Sequence, residues 1–228
     1  MDSERLTILD EQMTYIGVRT RAEVHTQGFW HETFHCWFLK EEAGKKYLLF
    51  QLRSAQKKDY PSLLDVTAAG HLLAGETPMD GLREVEEEIG VTLSFEHLVK
   101  VGVLREELVE EGLINREMCH VYLYRCNMDL DDFVLQEEEV SGLVQVELEQ
   151  FERFVRGEYD TVKGYGYKLN ENGEHIPLGG WEVGMVSGTS RPSVAYTTLP
   201  GVDLRKAHFC PHSERYCAEM LAAVRSLI

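Results

Sequence analysis

Three glutamates, Glu84, Glu87 and Glu88, stand at i, i+3 and i+4 in the segment TPMDGLREVEEEIG. Around them Met79, Leu82, Val85 and Ile89 recur at helical spacing. Thr77 can cap such a helix, Pro78 fits its first position, Asp80 completes a capping-box spacing, and Gly90 suits the left-handed residue that ends it. A helix over Pro78–Ile89 brings the three carboxylates within reach of one point. Alone, this arrangement is unfavourable: like charges at these spacings cost roughly 0.2–0.5 kcal/mol per pair. Glu87 and Glu88 also meet the negative end of the helix dipole, at about 0.3–1 kcal/mol each. A solvated acidic face is the plain alternative. The penalty is concentrated, however, only Arg83 is near to offset it, and a glycine-rich loop precedes it. A divalent cation reverses the sign, and convergent carboxylates suit a hard ion such as Mg²⁺ or Mn²⁺.

These residues resemble the Nudix hydrolase family, whose box reads G-x5-E-x7-R-E-U-x-E-E-x-G-U with U aliphatic. Arg83-Glu84-Val85-Glu86-Glu87-Glu88-Ile89-Gly90-Val91 matches its second half at every position, and Gly70-x5-Glu76 matches the first. Six residues separate Glu76 from Arg83 where the pattern has seven, which leaves the role of Glu76 open. The resemblance implies an α/β/α sandwich around a mixed sheet. It also implies that Glu84 and Glu88 bind metal directly, that Glu87 binds metal or orients the attacking water, and that Arg83 holds a glutamate by a bidentate pair. The implied reaction is attack of water on a diphosphate linkage, assisted by Mg²⁺ or Mn²⁺.

The flanks are similar to the branch that contains isopentenyl diphosphate isomerase. Arg53 and Lys57, followed by His71, resemble that enzyme's diphosphate-binding cations and a metal-binding histidine; two surface cations on a turn are the alternative reading. His25 and His31 match further metal ligands, for which a structural role on a loop fits equally well, and Glu117 matches a glutamate ligand. Two positions depart from the pattern. Ala69 stands where the isomerase has its catalytic cysteine, and Asn115 stands at another of its glutamate ligands. Hydrolysis is therefore expected in place of allylic isomerisation, with Glu117 as an extra ligand or a general base. His35, between Phe34 and Cys36, reads as a packing residue. His208, Cys210, His212 and Cys217 are too crowded for paired zinc-ligand spacing and read as a helix start.

Several elements must position these groups. Residues 5–9 and 15–19 read as a hairpin around Asp10-Glu11-Gln12, and Thr33–Leu39 and Lys46–Leu52 as strands joined near Gly44. Residues 63–68 read as a strand running into Gly70. Leu98–Arg105 and His120–Cys126 read as strands separated by an acidic loop, Phe133–Leu135 and Gly142–Glu147 as weaker strands, and Leu148–Val155 as a short helix. Eight of the 19 glycines fall within 157–188. Asn170-Glu171-Asn172-Gly173 marks a turn there. Tyr159, Tyr165, Tyr167 and Trp181 in that stretch either stack on a base or pack a hairpin. A last helix follows Pro211, with Tyr216, Met220, Val224 and Leu227 at helical spacing. The expected architecture is α/β (α+β), one domain over 1–228. Residues 1–150 are its core, and 151–228 an extension made of the glycine-rich hairpin and the terminal helix.

Composition narrows the function. The 228 residues carry 23 basic and 39 acidic side chains, a formal charge of −16, with 43% hydrophobic residues. That charge repels nucleic-acid polymers, so phosphate chemistry is expected at a focused, cation-assisted site. No apolar run is long enough to span a membrane, and the start of the chain carries no secretory pattern. Five cysteines without framework spacing suit reduced thiols in the cytoplasm. The expected partner is a small-molecule diphosphate, by default a nucleoside diphosphate derivative on family grounds, with a homodimer left open. The alternatives are a Nudix-fold module that senses a diphosphate without turnover, and isomerase-like chemistry on a prenyl diphosphate. Most of Glu106–Glu111 and Asp129–Glu139 is expected to be plain acidic surface.

Overall fold

Asp10 accepts the N–H groups of Gln12 and Thr14 on one carboxylate oxygen and so pins the turn between β1 (Arg5–Leu9) and β2 (Tyr15–Thr20). The computed structural model describes residues 3–110, 113–178 and 201–227. Thr20 and Glu23 then form a reciprocal capping box that starts α1 (Arg21–Gln27), closed by Gly28 in the left-handed region. This helix has no sequence-based expectation: it is seven residues long and buries Val24 alone, too little for a periodic signal.

The aromatic run after it is β3 (Trp30–Glu42), followed by β4 (Lys45–Arg53), β5 (Leu64–Val66) and β6 (Ala68–His71). One edge of β3 pairs in parallel with β8 (Leu113–Cys126), whose other edge carries β7 (Val99–Glu110). The opposite edge of β3 is shared along its length by β1, then β6, then β4. Beyond Leu49, β4 leaves β3 and pairs with β5 instead. Fully buried Thr67 sits at this fork, accepting the Phe38 N–H and donating to the Leu49 carbonyl. The expected single strand over 63–68 is thus two strands hinged at Thr67, which satisfies the backbone groups that the parting strands release.

The sheet continues through β9 (Val140–Glu147) and β10 (Val162–Leu169), and β11 (His175–Pro177) and β12 (Val202–Leu204) both pair with β10. Among the described residues, two large hydrophobic cores cover its faces, and a small third one joins Leu6 and Ile8 to Val24 of α1. One large core holds α2 (Leu82–Ile89) through Val85 and Ile89; the other holds α3 (Leu148–Val155) and α4 (Glu214–Ser226) through Phe151, Phe154, Tyr216, Met220 and Val224. The result is the α/β/α sandwich with a mixed sheet. The glycine-rich turn forms as read, with Asn170 accepting the N–H groups of Asn172 and Glu174 between β10 and β11. Tyr167 is fully buried and stacks on His175, so it packs the hairpin, while Tyr159 lies against the Arg153 guanidinium. Trp181 and residues 179–200 lie outside the described residues.

Three further expectations change. The helix begins at Leu82, not Pro78: Asp80, Leu82, Arg83 and Glu84 each donate to the carbonyl three residues back, a tight 3₁₀-type entry that leaves Met79 exposed. Phe133–Leu135 is not a strand, although Phe133 is buried in the core on the α2 face. The supposed acidic loop after Arg105 is strand, because β7 and β8 pair from Val99 to Glu110 with charged residues on alternate faces.

Candidate active site

The turn before α2, strands β5 and β6 and the segment before α4 enclose a cavity of about 310 Å³. Val85 and Ile89, anchored in the core, aim the other face of α2 at it. Glu88 is buried, and its Oε2 accepts Gln51 Nε2 at 3.1 Å and the Ala69 N–H at 3.1 Å. Burial, then the charge of Glu84, raises Glu88 to about 8. Burial likewise raises Glu84 to about 7, against the pull of Arg83. Gly70 makes this packing feasible, since a Cβ there would collide with the Glu84 carboxyl group. Glu87 lines the same cavity but is exposed, with Arg83 Nη1 at 3.3 Å.

Arg83 organises the carboxylates. It meets Glu76 by two hydrogen bonds, Nε to Oε1 at 2.9 Å and Nη2 to Oε2 at 3.2 Å. It also donates to the His71 carbonyl at 2.9 Å and contacts Glu84 Oε1 at 2.6 Å. Glu76, which also accepts the Leu73 N–H, is therefore the bidentate partner. Its one-residue shorter spacing is compatible with the 3₁₀ entry of α2.

Arg53 and Lys57 both line the cavity, and each already has a partner. Arg53 donates to Asp65 at 2.8 Å and twice to the Asp59 carbonyl, and Lys57 is paired with Glu139. They form a wall of paired charges on one side of the cavity.

His25, His31 and His71 converge, with ring centroids 5.1–5.2 Å apart and His25 Nε2 3.3 Å from His71 Nε2. Burial keeps all three below the ordinary histidine range, His25 at about 4, so they present neutral imidazoles. His31 Nε2 is buried without a hydrogen-bond partner while its Nδ1 lies 3.1 Å from the Phe29 carbonyl. Their donor atoms all lie within 4.8 Å of one another, as do those of His35, Glu117 and Cys119; these are the two such groups among the described residues, and Glu84, Glu87 and Glu88 do not form one.

Glu117 accepts Asn115 Nδ2 at 2.8 Å on Oε1; Thr33 Oγ1 lies 3.4 Å and His35 Nε2 3.6 Å from Oε2. Burial works against ionisation, but the neighbouring His35 holds Glu117 well below the usual carboxylate range. Asn115 thus supplies a donor where the resemblance has a second carboxylate. His35 is more than a packing residue: its Nδ1 meets the Tyr216 hydroxyl at 2.8 Å, which accepts Trp37 Nε1–H at 3.0 Å.

Two acidic groups expected on the surface lie at this cavity. Glu106 is buried opposite Glu117 in the β7–β8 register and is held by Ser213 and His212. Glu139 holds Lys57. Asp129 does remain largely exposed, against Lys40. His208–Cys217 does begin a helix, capped by Ser213. Sequence reasoning does not find Asp65, Gln51, His212 or Tyr216. Asp65 had a signal, as the one charge within the apolar run LLDVTA; the others meet the site through long-range packing alone.

A family model for the NUDIX domain matches residues 29–165. A Nudix hydrolase of Clostridium acetobutylicum is 39% identical over 178 residues, covering 78% of this chain and 86% of the relative. An isopentenyl-diphosphate Delta-isomerase of Corynebacterium diphtheriae is 32% identical over 154 residues, covering 64% of this chain and 80% of that one. A solved structure from Deinococcus radiodurans shares the fold at a TM-score of 0.50 and 19% identity, covering 68% of this chain and 90% of that one. No helix among the described residues is long and apolar enough to cross a membrane.

Proposed function

The chain belongs to the Nudix hydrolase family, and from that premise we propose that it hydrolyses the diphosphate linkage of a small nucleoside diphosphate derivative with Mg²⁺ or Mn²⁺. The observation that carries this reading is the pair Glu84 and Glu88, two largely buried carboxylates whose surroundings favour the neutral acid. A hard cation fits that donor set, because it turns the cost of their charge into a gain. Glu84 and Glu88 would hold it, joined by Glu87 once released from Arg83. When bound, the ion lowers the pKa of water and neutralises phosphate charge.

The chain's own residues divide the remaining work. Arg53 and Lys57 line the wall where a diphosphate would lie, exchanging part of their carboxylate contacts for phosphate oxygens. Gln51 and the Ala69 N–H fix Glu88, while Arg83 and Glu76 fix the start of α2. Glu117, kept ionised by its donors, accepts the proton of the water that attacks phosphorus as the bridging P–O bond breaks. His25, His31 and His71 form a second ligand set of neutral imidazoles, which suits Mn²⁺ or another transition ion better than Mg²⁺.

The test is a panel of nucleoside, sugar, dinucleotide and prenyl diphosphates with Mg²⁺ or Mn²⁺, followed by phosphate or pyrophosphate release. Metal-dependent cleavage of at least one member is expected. Ligand-induced thermal shifts without turnover would favour a sensor, and conversion of isopentenyl diphosphate to its isomer would overturn the hydrolytic reading. Ala69, which has neither thiol nor proton to give, argues against the last.

A further inference from the structure

We propose that His212, supplied by the C-terminal segment, is a positioning residue that sets Arg53 for diphosphate binding through Asp65; this rests on the hydrolase reading of the cavity. His212 lies outside the residues that the family model matches. The chain nevertheless builds it into the wall. Phe209 bridges to Leu64 and packs among Phe50, Phe151 and Phe154, and the Cys210 N–H donates to the Leu64 carbonyl at 2.7 Å. The segment therefore runs beside β5, the strand that carries Asp65.

Asp65 stands between two cations. Its Oδ2 accepts Arg53 Nη1 at 2.8 Å, and its Oδ1 accepts the Val66 N–H at 2.8 Å and faces His212 Nε2 at 3.4 Å. The other His212 nitrogen, Nδ1, lies 3.2 Å from Glu106 Oε2. Glu106 is in turn taken up by the Ser213 N–H at 3.0 Å and by the Ser213 hydroxyl. The imidazole stacks on Tyr216 at 4.5 Å between centroids, which fixes its plane. Although burial opposes its charge, the two carboxylates raise His212 to about 9 and keep it protonated at neutral pH.

The geometry gives this arrangement its use. Asp65 is the carboxylate that orients Arg53, and without a second cation its whole charge would fall on that guanidinium. Counted together, Arg53 and His212 balance Asp65 and Glu106, so the group is neutral overall and His212 acts by taking up part of the Asp65 charge that faces Arg53. Three of the five Arg53 N–H groups are bonded, to Asp65 and the Asp59 carbonyl, which leaves two for phosphate oxygens. His212 thus faces the Asp65 carboxylate as an ion-pair partner, its Nε2 making no hydrogen bond among the described residues, and Asp65 sets the direction of the guanidinium.

The test uses the full-length chain and inorganic pyrophosphate with Mg²⁺, measured by titration calorimetry, with Mg²⁺ alone as control. His212→Gln is expected to weaken pyrophosphate binding at least tenfold while leaving Mg²⁺ affinity within twofold. In an Arg53→Lys background the same substitution should cost less than twofold, because its route to the ligand is already broken. Asp65→Asn is expected to reproduce the tenfold loss and serves if His212→Gln does not fold. Unchanged pyrophosphate binding in a folded His212→Gln or Asp65→Asn variant, or losses that multiply fully in the double variant, would overturn the proposal. A wild-type protein that neither binds pyrophosphate nor cleaves any diphosphate would overturn the hydrolase reading itself, and this inference with it.

Discussion

Glu88 is a carboxylate whose surroundings prefer it protonated, and that preference has a measurable sign. Its pKa is raised from the ordinary value to about 8, so in metal-free protein its stabilising contribution is complete below about pH 4.5 and is lost as pH rises through about 8. In chelator, the unfolding free energy measured in urea is expected to fall by about 1–3 kcal/mol between pH 6 and pH 9 on this account. Glu88→Gln should remove that part of the slope; an unchanged slope would show that the carboxylate is not held near neutrality. Gly70 gives a second test at this scale. A methyl group there must displace the Glu84 carboxyl, which is the mobile end of a side chain. Gly70→Ala is thus expected to lower turnover at least tenfold while changing stability by less than about 1 kcal/mol, and a fully active variant would separate Glu84 from the chemistry. The helix glutamates were legible because three like charges at helical spacing violate local energetics. Asp65 shows in the sequence only as a lone charge in an apolar run, and His212 shows no such signal; their meeting across the fold gives them meaning.

The elements were legible in proportion to how much of their signal is local. The hairpin turn at Asp10, the Asn170–Gly173 turn and the Ser213-capped terminal helix follow from side chains bonding to nearby backbone, and the sequence displays such bonds directly. By contrast, the division of residues 63–68 into β5 and β6 depends on Thr67 filling a fork between two distant strands. The extension of β7 past Arg105 was hidden by glutamates, because Glu106 is buried by contacts with residues 212 and 213. The α4 entry carries its own pH dependence. His212 is raised to about 9 by Asp65 and Glu106, so its contribution is complete below about pH 6.5 and is lost as pH rises through about 9. Its other ring neighbours are Tyr216, which stacks on it, and His35, which meets it edge-on with centroids 6.1 Å apart. Between pH 6.5 and pH 9.5, wild-type protein is expected to lose about 2–3 kcal/mol more unfolding free energy than His212→Gln. Parallel profiles in urea titrations would mean that the imidazolium contributes nothing to holding the terminal helix.

On the scale of the whole molecule, the question is how a chain of net charge −16 receives a phosphorylated ligand. The cavity cations do not stand free: Arg53, Lys57 and Arg83 each face carboxylates, which outnumber them. On the proposed reading, a divalent ion on Glu84 and Glu88 would supply the positive charge that the wall lacks, with His212 holding Asp65 from the C-terminal segment. The sandwich and its family were legible from the helix box, while the way the C-terminal segment closes onto β5 was not, since it depends on contacts between residues about 150 positions apart. The most direct measurement of the central claim is steady-state turnover of a responding diphosphate with Mg²⁺ by wild type, Glu84→Gln and Glu88→Gln. Both variants are expected to fold and to lose at least a thousandfold in kcat, with wild-type activity abolished by chelator and restored by Mg²⁺ or Mn²⁺. Near-wild-type kcat in either folded variant, or turnover that survives chelation, would contradict a reaction carried by these carboxylates.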